Sequence, residues 1–169
     1  MDEAVLIQTV EKIVRQSLDN KNNANNLISK SIECISLSMA TKLIDIIQAE
    51  ATRIGIKVVI AVGGVSGNII AVHSMDDAYI ASYDIAVNKV FTSVALKMPT
   101  KQLAELAAPG SSLYGVQFTN NGKIIIFGGG EPLELNGTII GGLGVSGGSA
   151  EQDTKLAEFG RDKFLELMK

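Results

Sequence analysis

The chain has one histidine, His73, and Met75 stands two positions beyond it. In a strand that spacing puts both side chains on one face. Imidazole and thioether are donors for a metal or for haem iron. His73 is the strongest neutral iron donor available. Cys34 is a softer, weaker candidate, and the other methionines with Tyr79, Tyr83 and Tyr114 complete the possible donors. Cys34 is also the only cysteine, which excludes an internal disulfide and any multi-cysteine metal site. A structural role for a lone histidine or cysteine is the plainer alternative at both positions.

A second group of residues suits an anion. Residues 127–153 hold more than half of the chain's 17 glycines. An apolar run over 138–145 ends in Ser146-Gly147-Gly148-Ser149, and Ser149 and Gln152 have capping-box spacing. A strand-to-helix junction of this kind aims backbone N–H groups and a helix N-terminus at one spot. A nest formed by Gly144, Ser146, Gly147 and Gly148 is therefore expected to take an oxyanion. Close packing of a helix on the strand explains the same glycines equally well. Gly144-Val145-Ser146-Gly147-Gly148 is a weak nucleophile-elbow match, and a Ser146–His73–Asp triad is poorly supported. Lys89 lies off the apolar stripe of its helix. It reads as a solvated lysine, or as a cation reaching an anion. Asp76 and Asp77 read as helix caps before they read as an acid–base pair, and Thr100 as the cap of a short helix.

The elements that position these groups follow from periodicity and turn chemistry. A helix is predicted over 3–18, then a polar break over 20–26 and a weak edge strand over 28–35. A second helix is predicted over 38–54, ended by Gly55. Residues 57–62 and 69–75 read as a hairpin joined by a glycine-rich turn. A long helix over 78–98 presents Ile80, Tyr83, Val87, Val90, Phe91, Val94 and Met98 as its stripe. Pro99 breaks it, and a short helix runs from Thr100 to the Pro109-Gly110 pair. A strand is predicted over 123–127. Residues 132–135 and 138–145 form a hairpin turning at Asn136-Gly137. The last helix covers 150–168. Tight hairpins require antiparallel strands. The fold class is thus α/β (α+β), one domain over 1–169 with a largely antiparallel sheet and helices packed on its faces.

Composition narrows the partners. Apolar residues make up 46% of the 169, yet no run is long enough to span a bilayer. The surplus apolar surface is assigned to subunit contacts, giving a homo-oligomer, a dimer or a multiple of one. A net charge of -3 argues against nucleic acid. The acidic start, Met1-Asp2-Glu3, and the single cysteine predict a cytoplasmic protein without a signal peptide.

Four stretches in order resemble the GlcG/HbpS family, which includes the carboxy-terminal domain of PduO-type cobalamin adenosyltransferases. They are Val59-Ile60-Ala61-Val62 with Asn68-Ile69-Ile70-Ala71; Met75-Asp76-Asp77-Ala78; Ala86, Lys89 and Thr92 followed by Pro99-Thr100; and 128–133 with Ile140-Gly141-Gly142-Leu143-Gly144-Val145-Ser146-Gly147 and Gln152-Asp153. The resemblance covers about 36–168 and leaves 1–35 outside. Gly63 stands where the family has Asp, Ser74 where it has Arg, and Asp77 where it has Gly. The resemblance implies a profilin-like layered fold, oligomers and, in some members, haem binding. It marks Met75, Asp76, Lys89, Thr100, Gly144, Ser146, Gly147 and Gly148 as ligand-contact positions, while His73, then Cys34, are the iron candidates on donor chemistry alone. The expected function is an oligomeric binding protein for haem or a related tetrapyrrole, accessory to corrinoid-dependent diol utilisation. No catalytic residues are assigned. The alternatives are an enzyme acting on a small carboxylate or aldehyde, and an assembly partner without a ligand.

Overall fold

The computed structural model describes residues 11–12 and 33–169. Apart from the helical pair Glu11 and Lys12, the helix expected over 3–18 lies outside the described residues, as does the polar break over 20–26. The weak strand over 28–35 falls there in part. Its described end is not a strand, and Ile35 instead donates one backbone bond to Ile140 O at 2.9 Å.

Helix α1, Leu37–Arg53, starts at Ser36, whose side chain accepts from Met39 N. It buries Ala40, Leu43, Ile44, Ile47 and Ala51, the expected single face. It ends in a Schellman pattern. Ile56 N donates to Ala51 O and Gly55 N to Thr52 O, with Gly55 at φ 75°. Strands β1, Val59–Gly64, and β2, Ile69–Ser74, form the predicted hairpin, with Val59 opposite Ser74. Strands β3, Gly130–Leu135, and β4, Thr138–Ser146, form the second. Asn136 and Gly137 at its turn both have positive φ, the type I′ requirement. The sheet order is β2-β1-β4-β3, antiparallel throughout.

Helix α2, Ser82–Leu96, starts later than the predicted residue 78. Asp77 takes a left-handed φ of 66° and Ala81 begins the helix without a side-chain cap, so neither aspartate caps it. The predicted stripe is rotated as well. The buried residues are Ser82, Ala86, Lys89, Val90, Thr92, Ser93 and Val94, while Ile80 and Tyr83 are exposed. The cause is across the interface. A Cβ on Gly144 would collide with Ala86 O, and one on Gly142 would come within 2.7 Å of Val94. The glycines of β4 let the helix lie this close, with the Ala86 and Val90 backbone and the Ser93 and Val94 side chains against them.

Helix α3, Thr100–Leu106, follows Pro99. Thr100 is its first residue rather than its cap, and its hydroxyl accepts Gly130 N at 2.9 Å. The strand expected over 123–127 is absent. Thr92 Oγ1 accepts Ile125 N at 3.0 Å and lies 3.2 Å from Lys123 O, so a side chain replaces a ladder partner. Helix α4, Ala150–Leu167, opens with the predicted capping box of Ser149 and Gln152. Gly160 lets it press on Ile47 and Leu143.

The result is three layers. One core, with Leu43, Ile47, Ile60, Leu143, Val145 and Phe164, lies on the α1 and α4 face of the sheet. A smaller one, Val59, Ala61, Ala86 and Val90, lies under α2.

Candidate functional site

The glycine-rich junction already contains an anion, and the chain supplies it. Asp153 in the first turn of α4 accepts Gly148 N at 2.8 Å through Oδ1. Its Oδ2 lies 2.9 Å from Lys89 Nζ, which also donates to Val145 O at 2.7 Å. Lys89 has no exposed surface. Its ammonium lies 4.9 Å from the centroid of the Phe127 ring. Burial pushes the Lys89 pKa down, and Asp153 pulls it back up.

Both expectations for Lys89 are thereby corrected. It is neither solvated nor free for an outside anion, because Asp153 and Val145 O occupy it. The nest changes in the same way. Gly148 N is bound by Asp153, and Ser149 N by Gln152 Oε1 at 2.8 Å. Gly144 sits in the ladder between Ala61 and Gly130 with α2 against it, so close packing accounts for that glycine. A Cβ at Gly147, whose φ is 150°, would strike Lys57 O. Gly63, at the position where the family carries Asp, is as confined: a Cβ would come within 2.6 Å of Val90.

Ser146 and His73 lie on opposite faces of the sheet. Ser146 pairs with Val59 of the α2-side core, is buried, and lies 3.3 Å from Ser82 Oγ of α2. His73 pairs with Ile60 of the other core, and its Nδ1 lies 3.9 Å from Asp45 Oδ1 on α1. No Ser–His pair can form across the sheet, and Ser146 lacks the exposure of an elbow nucleophile.

His73 is the open member of the set. Its side chain is 40% exposed, on the outer strand β2, and neither ring nitrogen is hydrogen-bonded among the described residues. Met75 is half-buried against the α1-side core, and Asp76 is exposed in the following turn. Cys34 is exposed at another place, near Gly64. Tyr79, Tyr83 and Tyr114 are all exposed. His73 is not among the residues lining the clefts at Phe127, Gly147, Thr138, Pro99 and Cys34. Among the described residues no three His, Cys, Asp or Glu side chains gather to hold a metal ion. No helix among them is long and apolar enough to cross a membrane.

The model of a family described as "Haem degrading protein HbpS-like" matches residues 35–162. The chain belongs to this HbpS-like family. It is 45% identical over 139 residues to a 15.0 kDa Citrobacter freundii protein of the dhaT-dhaS intergenic region, covering 82% of this chain and 98% of that one. It is 39% identical over 108 residues to the corrinoid adenosyltransferase PduO of Salmonella typhimurium, covering 64% of this chain but only 32% of PduO. Its fold matches that of a PduOC–haem complex with a TM-score of 0.73 at 34% identity, covering 76% of this chain and 94% of that one. The HbpS-like assignment agrees with the resemblance read from the four motif stretches. It also agrees with the layered antiparallel architecture. What the motifs did not reveal is the Lys89–Asp153 pair. An acidic residue in the first turn of α4 was visible, but its partner is 64 positions away.

Proposed function

We propose that this HbpS-like protein binds haem or a related tetrapyrrole, with His73 as the iron ligand, as a homo-oligomer in the cytoplasm. His73 carries the reading: an open imidazole on an outer strand, in a chain whose 34%-identical structural neighbour is a haem complex. Asp45 Oδ1 lies 3.9 Å from Nδ1, beyond hydrogen-bond reach, so among the described residues the fold ties up neither ring nitrogen. Haem would supply a redox-active iron; the protein would supply the donor and the walls. A flat ring needs apolar cover on both faces. Because His73 lines none of these clefts, a second copy of the chain is assigned the other wall. Exposed Tyr79, Ile80 and Tyr83 are apolar surface suited to such burial. The propionates require partners other than Lys89, which Asp153 holds. The kinship with PduO and with the dhaT-dhaS protein supports an accessory role in corrinoid-dependent diol utilisation.

Hemin titration tests this. The expected result is a sharpened, shifted Soret band that saturates stoichiometrically. His73→Ala weakens the band and Cys34→Ala leaves it unchanged. An unaltered hemin spectrum with the wild type discards the haem reading. An unaltered band in His73→Ala discards only the ligand. A particle of 17.9 kDa at every concentration in light scattering removes the oligomer.

A further inference from the structure

We propose that the cleft between α3 and the first half of α4 binds a small planar aromatic acid, at a site separate from His73. The cleft measures about 370 Å³, inside the roughly 300–1,000 Å³ range of small-molecule sites. Phe127, Ala104 of α3, and Ala150 and Thr154 of α4 line it. The backbone of Gly128 forms part of its wall, where a Cβ would collide with Thr154 Oγ1. Phe127 remains 39% exposed.

Two features select the ligand. The first is the buried Lys89 ammonium at 4.9 Å from the Phe127 centroid. A cation at an aromatic ring draws electron density from it, and such a ring stacks better on a second, electron-rich ring. The second is the rim charge. Glu151 accepts the Ser149 hydroxyl at 2.8 Å, and Glu158 lies 3.4 Å from Lys101. Lys155 is exposed, stands one turn after Glu151, whose carboxylate feels its charge, and makes no direct ion pair among the described residues. The cleft therefore offers an aromatic wall and a rim cation that no carboxylate holds in a direct ion pair. An aromatic ring would stack on Phe127 with its carboxylate at Lys155. Haem is not the occupant, because no His, Cys, Met or Tyr lines the cleft to hold iron.

The probe is 2-naphthoate, whose fluorescence is read without interference because the chain has no tryptophan. The full-length protein should give a saturable fluorescence change. Lys155→Glu turns attraction into repulsion and should raise Kd about tenfold. Ala104→Phe fills the cleft and should abolish binding. Both changes lie away from the fully buried core, so both variants should keep the wild-type melting temperature, which separates lost binding from lost fold. Hemin titration of Ala104→Phe should match the wild type. No saturable change with the wild type overturns the proposal. So does binding that survives Ala104→Phe, or 2-naphthylmethylamine binding as tightly as 2-naphthoate. Competition between hemin and 2-naphthoate overturns the separation of the two sites, whereas failure of His73→Ala to affect hemin leaves this cleft untouched.

Discussion

Lys89 and His73 are basic side chains with opposite surroundings. Lys89 is wholly buried, and its ammonium meets a carboxylate, a carbonyl and an aromatic ring. His73 lies on an outer strand, 40% exposed, with only a distant carboxylate. A buried charge must have its partners inside the protein, because desolvation otherwise costs too much. An exposed imidazole has water as its partner, and water can be exchanged for a ligand. The contrast makes the glycine-rich junction architecture and leaves His73 as the group with capacity to spare.

The sharpest way to break this contrast is to remove one partner of the buried pair. Asp153→Ala strands an ammonium and should cost about 3–5 kcal/mol in denaturant unfolding. The double change Lys89→Met with Asp153→Leu should recover most of that. A single-mutant loss below about 1 kcal/mol, within the range of an exposed pair, would show that the pair is not sealed.

Next in size is the close packing of α2 on β4. Gly144→Val places a side chain where Ala86 O lies, and overpacking of this kind costs about 1–3 kcal/mol. Unchanged stability would mean the helix has room to lift, and the anion reading of that glycine would return.

Glu131 on β3 stands between the extremes. It is buried, and Arg161 Nη1, itself partly exposed, lies 3.0 Å from its Oε2. Burial raises its pKa above the usual 4.5, with Arg161 opposing. Above 4.5 the folded state then holds the proton more tightly than the unfolded chain does. Stability from this group is complete below that pH and falls as pH rises through the folded pKa. Glu131→Gln does not titrate. The stability of wild type relative to Glu131→Gln should therefore decline as pH rises from 4.5, measured by urea unfolding at several pH values. A flat difference would place Glu131 with the open groups.

The smallest effect is expected at His73. His73→Ala should change folding stability by no more than about 0.5 kcal/mol, because nothing in the fold depends on the ring. A loss above about 2 kcal/mol in the same unfolding assay would make His73 a structural residue after all.

The parts of the fold legible in the sequence were those set by neighbours in the chain. Asn136-Gly137 announces a turn with two positive φ angles, and Ser149 with Gln152 announces a helix start. Gly55 announces a helix end. Each works through backbone bonds spanning a few residues. The face of α2 was misread because the stripe rule assumes a surface of ordinary depth. Opposite α2 the strand carries Gly142 and Gly144, so Ala86, Lys89 and Ser93 face inward while Ile80 and Tyr83 stay out. The segment over 123–127 was misread because its hydrogen bonds go to the Thr92 side chain, which no strand pattern records.

Sequence alone determined the two antiparallel hairpins, the capped last helix, the family and the small set of candidate metal donors. Those follow from local turn chemistry, alternation and residue type. Tertiary structure alone decided which polar groups remain free. It brought Asp153 to Lys89 across 64 positions and put Ser146 and His73 on opposite faces of one sheet. The reason is physical: a side chain is available to a ligand only when the fold has not already satisfied it, and satisfaction depends on neighbours in space.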